Sequence, residues 1–369
     1  MDAKKIGVTY GKAEDLLRIL QKGNRALALV GEKNRRGLLA ELEKAFEAFK
    51  DRVSFQVLIL KPASFAQFLT LQNPTQAMFN QLASEIPWWD LLDQIEETCF
   101  LQSPTNEKAR PFIGGLWRDE VARDPFKPPA GWKYLPVEEA VEAYRKLFGS
   151  SLRADSVLNL AKQVKPRQES EGVAIWPKLS TIAKLFGISR NPLEDTEEGY
   201  EAYAKIVELF IPEVGKAYTK AYPQFPFKNW REGELTAKYV RLAPAGQKAW
   251  QVLEKMTDDD FVIAVAGANT GSLYAGYSVR HSRIKIVLAG DQFLQDCIMV
   301  GGTIVIQPDR LTKFEHLAID CLGTKYAPGA GGGFSGCLCF SWPDGGLHFD
   351  GSWAGVASRS FGSASGFLG

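Results

Sequence analysis

The densest group of chemically active side chains is a short basic run, SVRHSRIKIVL, at residues 278–288. On a β-strand, side chains alternate between faces, so His281, Arg283 and Lys285 would share one face about 7 Å apart, with Arg280 on the other. Such a stripe suits a phosphate, a carboxylate or an acidic protein partner. We therefore predict that Arg280, His281, Arg283 and Lys285 bind an anionic small molecule or an acidic partner, although a solvated outer sheet face would show the same pattern.

Metal-binding and acid–base side chains are too sparse in the sequence to complete a site. Cys337-Leu338-Cys339 places two thiols on one face of a strand, but structural zinc needs four ligands and the chain has three histidines. His316 and Asp320, on one strand, would lie roughly 13 Å apart, beyond hydrogen-bond reach. We predict buried free cysteines and no metal site, and the sequence identifies no catalytic residue and no cofactor.

Two glycine-rich segments have the composition of phosphate-binding loops without their context. AVAGANTGS (264–272) follows a predicted strand but lacks the lysine that reaches the phosphates, and GAGGGF (329–334) neither follows a strand directly nor opens a helix. Both segments are therefore predicted to be turns that use the positive φ angles open to glycine.

The segment LSTIAKLFGISRN (179–191) has the spacing of the first helix and turn of a helix-turn-helix. The helix after it would bring Glu194, Asp195, Glu197 and Glu198 to the DNA backbone, where carboxylates repel phosphates. The stretch YVRLAPAGQKAW (239–250) is also similar to the wing-to-helix end of winged-helix regulators. A helical hairpin packed on its own core is favoured, and DNA binding is the alternative.

Composition places the chain among ordinary globular proteins. Of its 369 residues, 45% are hydrophobic and 24% charged, and 44 basic residues against 43 acidic ones leave no basic excess for nucleic acid. The amino-terminal residues have no signal-peptide core, and no apolar run is long enough to span a membrane. Five cysteines, an odd and uneven set, favour reduced thiols. We predict a cytoplasmic protein without a membrane partner.

Hydrophobic periodicity predicts an α+β fold in four regions along the chain. Residues 1–103 are predicted as an α/β domain in which strands 25–31 and 53–60 form a parallel pair, followed by a helix at 63–71. Residues 104–136 are predicted as a proline-rich irregular connection, and 137–257 as a mainly helical region, with helices at 137–148, 196–210 and 244–256.

The last region, residues 258–369, is predicted as a glycine-rich antiparallel β domain, folded as a sandwich or half-barrel. Its predicted strands are FVIAVAG, SLYAGYSVR, RIKIVLAG, GGTIVIQ and GCLCFSW, which recur with glycine turns every ten residues or so. Because helical spacing disappears after the acidic run at 258–260, we expect this region to fold by itself.

The segment RALALVGEKNRRGLLAELEKAFEAFKDRVSFQVLILKPASFAQFL (25–69) resembles the second half of a minimal nucleotidyltransferase domain. In that family a strand with paired acids leads into a helix, a strand and a Pro-x-x-Phe helix. The family's chemistry requires a Gly-Ser turn and an Asp-x-Asp strand for magnesium, but the matching strand here reads Ala26-Leu27-Ala28-Leu29. The resemblance therefore implies a fold without catalytic residues, and an unrelated βαβ unit is the alternative.

Three functions follow from these patterns. The leading prediction is a non-catalytic binding or assembly protein, as part of a mobile element or a regulatory complex. The alternative is a nucleotidyltransferase-like enzyme acting on a nucleotide or a phosphorylated small molecule. The third is a DNA-binding regulator. The sequence leaves the oligomeric state open.

Overall fold

The computed structural model describes residues 8–9, 56–57, 62–71, 73–99, 104–114, 121–329 and 333–369. The chain divides into two compact units, Met1–Ile86 and Pro87–Gly369. Across the described residues there are eleven α-helices and thirteen strands, in antiparallel and mixed sheets that include a half-barrel. The predicted α+β class is confirmed.

In the first unit, strands β1 (Val8–Thr9) and β2 (Gln56–Val57) pair antiparallel. Strand β2 lies within the predicted strand 53–60, and helix α1 (Phe65–Leu69) lies within the predicted helix 63–71. The predicted strand 25–31 and most of the segment that resembles a nucleotidyltransferase lie outside the described residues. The parallel pair and the family resemblance therefore stay predictions.

Helix α1 and helix α2 (Gln76–Glu85) pack through phenylalanine side chains. Phe65 and Phe68 of α1 are fully buried and meet the Phe79 ring of α2 at centroid distances of 6.1 and 5.5 Å. A side-chain cap begins α1, since the Ser64 hydroxyl accepts a hydrogen bond from the backbone N–H of Gln67 at 3.2 Å. This short hairpin therefore has a hydrophobic contact and a defined start.

The second unit contains nine described helices: α3 (Trp88–Cys99), α4 (Pro104–Ile113), α5 (Val137–Phe148), α6 (Asp155–Ala161), α7 (Leu179–Leu185), α8 (Glu197–Ala221), α9 (Pro244–Leu253), α10 (Val279–Ala289) and α11 (Cys297–Ile306). Helices α5, α7, α8 and α9 lie where helical spacing predicts them. Helix α4 corrects the prediction of an irregular connection from residue 104. It opens on a proline, which costs no hydrogen bond at a first helical position.

Strands of the second unit are β3 (Ile175–Pro177), β4 (Phe227–Asn229), β5 (Val240–Leu242), β6 (Phe261–Ile263), β7 (Ala268–Asn269), β8 (Gln292–Leu294), β9 (Ala318–Tyr326), β10 (Gly336–Ser341), β11 (Leu347–Trp353), β12 (Phe361–Ser363) and β13 (Ser365–Phe367). The largest sheet has the order β12-β9-β10-β11-β4, and β5 also pairs with β9. Strands β9, β10 and β11 form an antiparallel meander, whereas β12 and β4 lie parallel to their neighbours. Two smaller sheets pair β7-β13-β8 and β3-β6.

Three of the predicted rear strands are wrong. SLYAGYSVR (272–280) forms a 3-10 turn at Ser272–Tyr274 and the start of α10, and RIKIVLAG and GGTIVIQ lie largely in helices α10 (Val279–Ala289) and α11 (Cys297–Ile306). Side-chain caps start both helices: Ser278 Oγ accepts from His281 N at 3.2 Å, and Asp296 Oδ1 accepts from Met299 N at 2.9 Å. Helix α11 is buried along nearly its whole length, and a helix that is apolar all round shows no helical period. Helix α10 buries a basic side chain, Arg283, along with its valines and isoleucines, so its polar and apolar residues do not separate at helical spacing.

Helix α11 lies in the middle of the core, where its two glycines allow close packing. A Cβ on Gly301 would lie 3.0 Å from Phe210 of α8, and one on Gly302 would lie 3.1 Å from the Tyr144 hydroxyl of α5. The neighbouring helices therefore approach the α11 backbone more closely than a side chain would permit.

The large sheet joins the predicted helical and β regions. Strand β4 pairs with β11, β5 pairs with β9, and β3 pairs with β6, so strands from before residue 257 complete sheets formed after it. Residues 258–369 therefore lack several of their pairing partners when taken alone, and the expectation that they fold by themselves stays a prediction.

Candidate functional site

The predicted basic stripe does not exist as a strand face, because residues 280–285 belong to helix α10. Successive residues of a helix are about 100° apart, so side chains at every second position point in different directions. Arg283 is fully buried, Lys285 is exposed over the Tyr277 ring, and Arg280 stacks on the Trp88 ring. The shared face of His281, Arg283 and Lys285 is thus wrong, and binding of an anion or partner by these residues stays a prediction.

The Arg283 side chain instead donates hydrogen bonds to the large sheet where its strand register is irregular. The register of β9 against β10 shifts between Cys337 and Leu338, which leaves β9 carbonyl groups without a partner strand. Arg283 donates from Nε to the carbonyl of Leu322 at 2.9 Å and from Nη2 to that of Thr324 at 3.0 Å. Its cation is therefore fixed inside the protein rather than offered to solvent.

Two buried carboxyl groups, those of Glu96 and Asp320, interact electrostatically with the Arg283 guanidinium. Burial raises the pKa of Glu96, on α3, to about 7, and the nearby Arg283 guanidinium opposes that rise. Burial likewise raises the pKa of Asp320, on β9, to about 7, against hydrogen bonds from Cys337 and Ser352 and the charge of Arg283. In both groups burial favours the neutral acid more than it does for an ordinary surface carboxyl group.

Asp320 belongs to a polar row that crosses four strands of the sheet. Strand register aligns Ser363 of β12 with Asp320, Asp320 with Cys339 of β10, and Cys339 with Asp350 of β11. Residues paired across strands point to the same face, so these four side chains form one polar row. Two strand spacings separate Asp320 from Asp350, or roughly 10 Å between backbones.

A cleft of about 280 Å³ opens over the polar row. Asp320 lies at its floor, 2% exposed, beside Ser352 and Cys339. Trp353 and Val356, 63% and 65% exposed, line its mouth. No lysine, arginine or histidine side chain lines this cleft in the part of the chain that the structure describes.

The two carboxyl groups of the cleft are held in different environments. Asp350 is partly exposed and forms an ion pair with Arg231 at 2.8 Å, and Arg231 also contacts Glu234 and the Tyr326 hydroxyl. Asp320 lacks a direct ion pair among the described residues and accepts a hydrogen bond from the Cys337 thiol at 3.7 Å. Asp350 is therefore partly neutralised by Arg231, whereas Asp320 has no direct counter-ion within the described residues.

The two thiols next to Asp320 are poor nucleophiles. Strand β10 carries Cys337 and Cys339 on one face, as predicted, and burial raises the pKa of both thiols well above the usual range. The neutral thiol dominates at physiological pH, whereas nucleophilic attack and metal binding need the thiolate. Over the described residues there is no group of three or more His, Cys, Asp or Glu side chains that could hold a metal.

The glycine-rich segment 264–272 forms the predicted turns. It runs from the end of β6 through β7, and Gly267 and Gly271 have φ angles of +95° and +113°. Residues 330–332, inside the second glycine-rich segment, lie outside the described residues.

The chain matches no protein-family model, no curated protein and no solved structure. Within the residues that the structure covers, no helix has the length and apolar character needed to cross a membrane.

Sequence reasoning missed the polar row because its members are 43 residues apart at most and meet only through strand register. A local signal was nevertheless present. In β10, Cys337 and Cys339 alternate with Leu338 and Phe340, and this period of two places both thiols on one face of a strand.

Proposed function

We propose that this chain is a binding protein whose cleft over the polar row takes a small ligand with a positively charged amino group. The observation that carries the proposal is the buried Asp320 carboxyl group at the floor of a cleft without basic side chains. This proposal develops the binding function predicted from the sequence, and it concerns a different surface from the predicted basic run.

Each part of the cleft suits an ammonium group on a short apolar chain. An ammonium ion at the floor would donate to the Asp320 carboxylate and to Ser352, in a charge-assisted hydrogen bond that is stronger than a neutral one. The ligand's carbon chain would then lie against Phe361 and the exposed Trp353 ring. An aromatic face also attracts cations directly.

The same geometry predicts how binding depends on pH. The pKa of Asp320 is about 7, so its carboxylate fraction rises as the pH increases from 6 to 8. A primary amine with a pKa of about 10.4 stays protonated throughout that range. Binding of an amine should therefore strengthen with pH, whereas binding of a neutral alcohol should not change.

The test compares butylamine with butanol, which have the same chain length and differ in charge. Binding is followed through the indole ¹H–¹⁵N signal of Trp353, identified with the variant Trp353→Phe. We expect butylamine to shift this signal more strongly at pH 8 than at pH 6, and Asp320→Asn to weaken its binding by about tenfold or more.

The matched control is Glu208→Gln, which removes an exposed carboxylate from α8. It should leave butylamine binding unchanged. Equal binding of butanol and butylamine, or equal loss of binding in both variants, would contradict the proposal.

The other two functions predicted from the sequence have no support in the described residues. The segment that resembles a nucleotidyltransferase lies largely outside them. DNA binding through residues 179–191 stays untested.

A further inference from the structure

A groove of about 470 Å³ lies between α7, the following turn and α9, away from the polar row. Its apolar floor includes Ala183, Ile188 and Leu193. We call it the basic groove because Lys184, Arg190 and Lys255 line it against one carboxylate, Glu254, which accepts a hydrogen bond from Ser180 N at 2.9 Å. Lys184 and Lys255 are exposed and form no ion pair with the described part of the chain. Arg190 contacts Glu201 at 3.1 Å in an exposed pair.

An acidic strip borders this groove directly. It consists of Glu194, Asp195, Glu197 and Glu198, all exposed, and it begins at the residue after Leu193 of the groove floor. Helix α8 starts within it, where the Thr196 hydroxyl accepts from Gly199 N at 3.1 Å. Acidic side chains stabilise a helix start, but only in the first turn, which accounts for Glu197 and Glu198 alone.

Two carboxylates of the acidic strip have polar partners outside the strip. Asp195 accepts a hydrogen bond from the Tyr200 hydroxyl, and Glu197 lies 3.7 Å from Arg241. Glu198 forms neither type of contact within the described residues. Next to Lys184, the apolar side chain of Leu185 is 43% exposed. The basic groove and the acidic strip therefore present cations and anions side by side, and the exposed Leu185 follows Lys184 in the chain.

The basic groove next to the acidic strip limits the kind of partner that this face can bind. A nucleic acid would be attracted by the basic groove but repelled by the acidic strip. An acidic peptide would meet the same repulsion. A partner must carry both signs of charge in complementary order, and a second copy of this chain, turned by a two-fold rotation, supplies that order.

We propose that the chain forms a two-fold symmetric homodimer through this face. In the dimer, Lys184 and Lys255 of each copy lie against the acidic strip of the other copy, and the Leu185 side chains are buried near the two-fold axis. Because the charged groups face one another at the rim, salt should weaken the association.

Analytical ultracentrifugation of the full chain at 50 mM and 500 mM sodium chloride tests the oligomeric state. We expect a dimer at low salt and weaker dimerisation at high salt. A wild-type chain that remains monomeric at low salt and high protein concentration overturns the proposal, including the case in which it binds DNA or an acidic peptide as a monomer.

Charge reversal tests the surface itself. Lys184→Glu with Lys255→Glu, and separately Glu197→Lys with Glu198→Lys, should each weaken self-association at least tenfold. An equimolar mixture of the two double variants should restore a dimer that contains one copy of each. A merely unfolded variant could not be rescued in this way, and the circular dichroism of each variant provides an independent check of folding.

The control reverses two exposed lysines at the far end of α8, Lys216→Glu with Lys220→Glu. It changes the net charge by the same amount as the first double variant and should leave dimerisation intact. Persistence of the dimer in the Lys184 and Lys255 double variant, or failure of the mixture to associate, places the interface elsewhere and overturns the proposal.

Discussion

Replacing Asp320 by asparagine should change how the stability of the protein depends on pH. Asparagine has nearly the same shape and stays neutral, so the variant removes the ionisation of one buried group. The carboxyl group of Asp320 is 2% exposed and has no direct ion pair among the described residues, so its ionised form is disfavoured in the folded protein.

The magnitude follows from the difference between the folded and unfolded states. The pKa of Asp320 rises from 3.8 in the unfolded chain to about 7 in the folded protein, a difference of about three pH units. Each unit corresponds to about 1.4 kcal/mol, so full ionisation costs the folded state about 4 kcal/mol.

The sign follows from proton binding. Between pH 4 and pH 7 the folded protein binds this proton more than the unfolded chain does, so the contribution of Asp320 to stability decreases as the pH rises through that window. The cost is absent below the unfolded pKa and complete above pH 7. Relative to the wild type, Asp320→Asn should therefore gain about 3 kcal/mol of unfolding free energy between pH 5 and pH 8.

Urea unfolding followed by circular dichroism at pH 5, 6, 7 and 8 measures this gain. Loss of the hydrogen bonds from Cys337 and Ser352 changes the free energy of unfolding of the variant by the same amount at every pH. The change of this free energy with pH, compared between variant and wild type, therefore reports the ionisation of Asp320. Glu208→Gln, at an exposed position, should show the same pH dependence as the wild type. A difference between Asp320→Asn and wild type that is constant from pH 5 to pH 8 would refute the reasoning.

Three further outcomes can be checked by unfolding experiments. Arg310→Leu should cost about 3–5 kcal/mol in urea unfolding, because the buried guanidinium donates to Thr270 and Leu317 and offsets the charge of Glu171; a loss under 1 kcal/mol would show that this network contributes little. Gly301→Val should lower the stability by about 1–3 kcal/mol in thermal denaturation, because its Cβ would lie 3.0 Å from the Phe210 ring of α8. An unchanged melting temperature would show that the neighbouring side chains move aside without cost. A fragment of residues 257–369 should give the circular dichroism of an unfolded chain, since β3, β4 and β5 are missing; a folded spectrum would support the independent β domain expected from the sequence.

Local sequence patterns determined much of the second unit. The helices at 137–148, in α8 and in α9 carry apolar residues at helical spacing. In such partly buried elements, one face meets the core and the other meets a polar environment. The period of the pattern therefore reveals the type of element.

The same reasoning failed for α10 and α11, because α11 is buried on nearly every side and α10 buries a basic side chain among its apolar ones. Their residues are rich in valine and isoleucine, and α11 also contains two glycines, so composition favoured strands. The helix starts were present in the sequence as Ser278 and Asp296, two capping residues. Those local signals were weaker than the β-branched composition that led to the strand prediction.

The candidate site was decided only by tertiary structure. Asp320, Cys339 and Asp350 become neighbours through the register of three strands, and the pKa of Asp320 is raised because the surrounding chain excludes water from it. Arg283 illustrates the converse: its charge suggested a surface role, but the fold places it inside, on carbonyl groups exposed by a bulge. Sequence specifies residue type and local period, whereas burial and long-range pairing set the energy of a charge, and these depend on segments far apart in the chain.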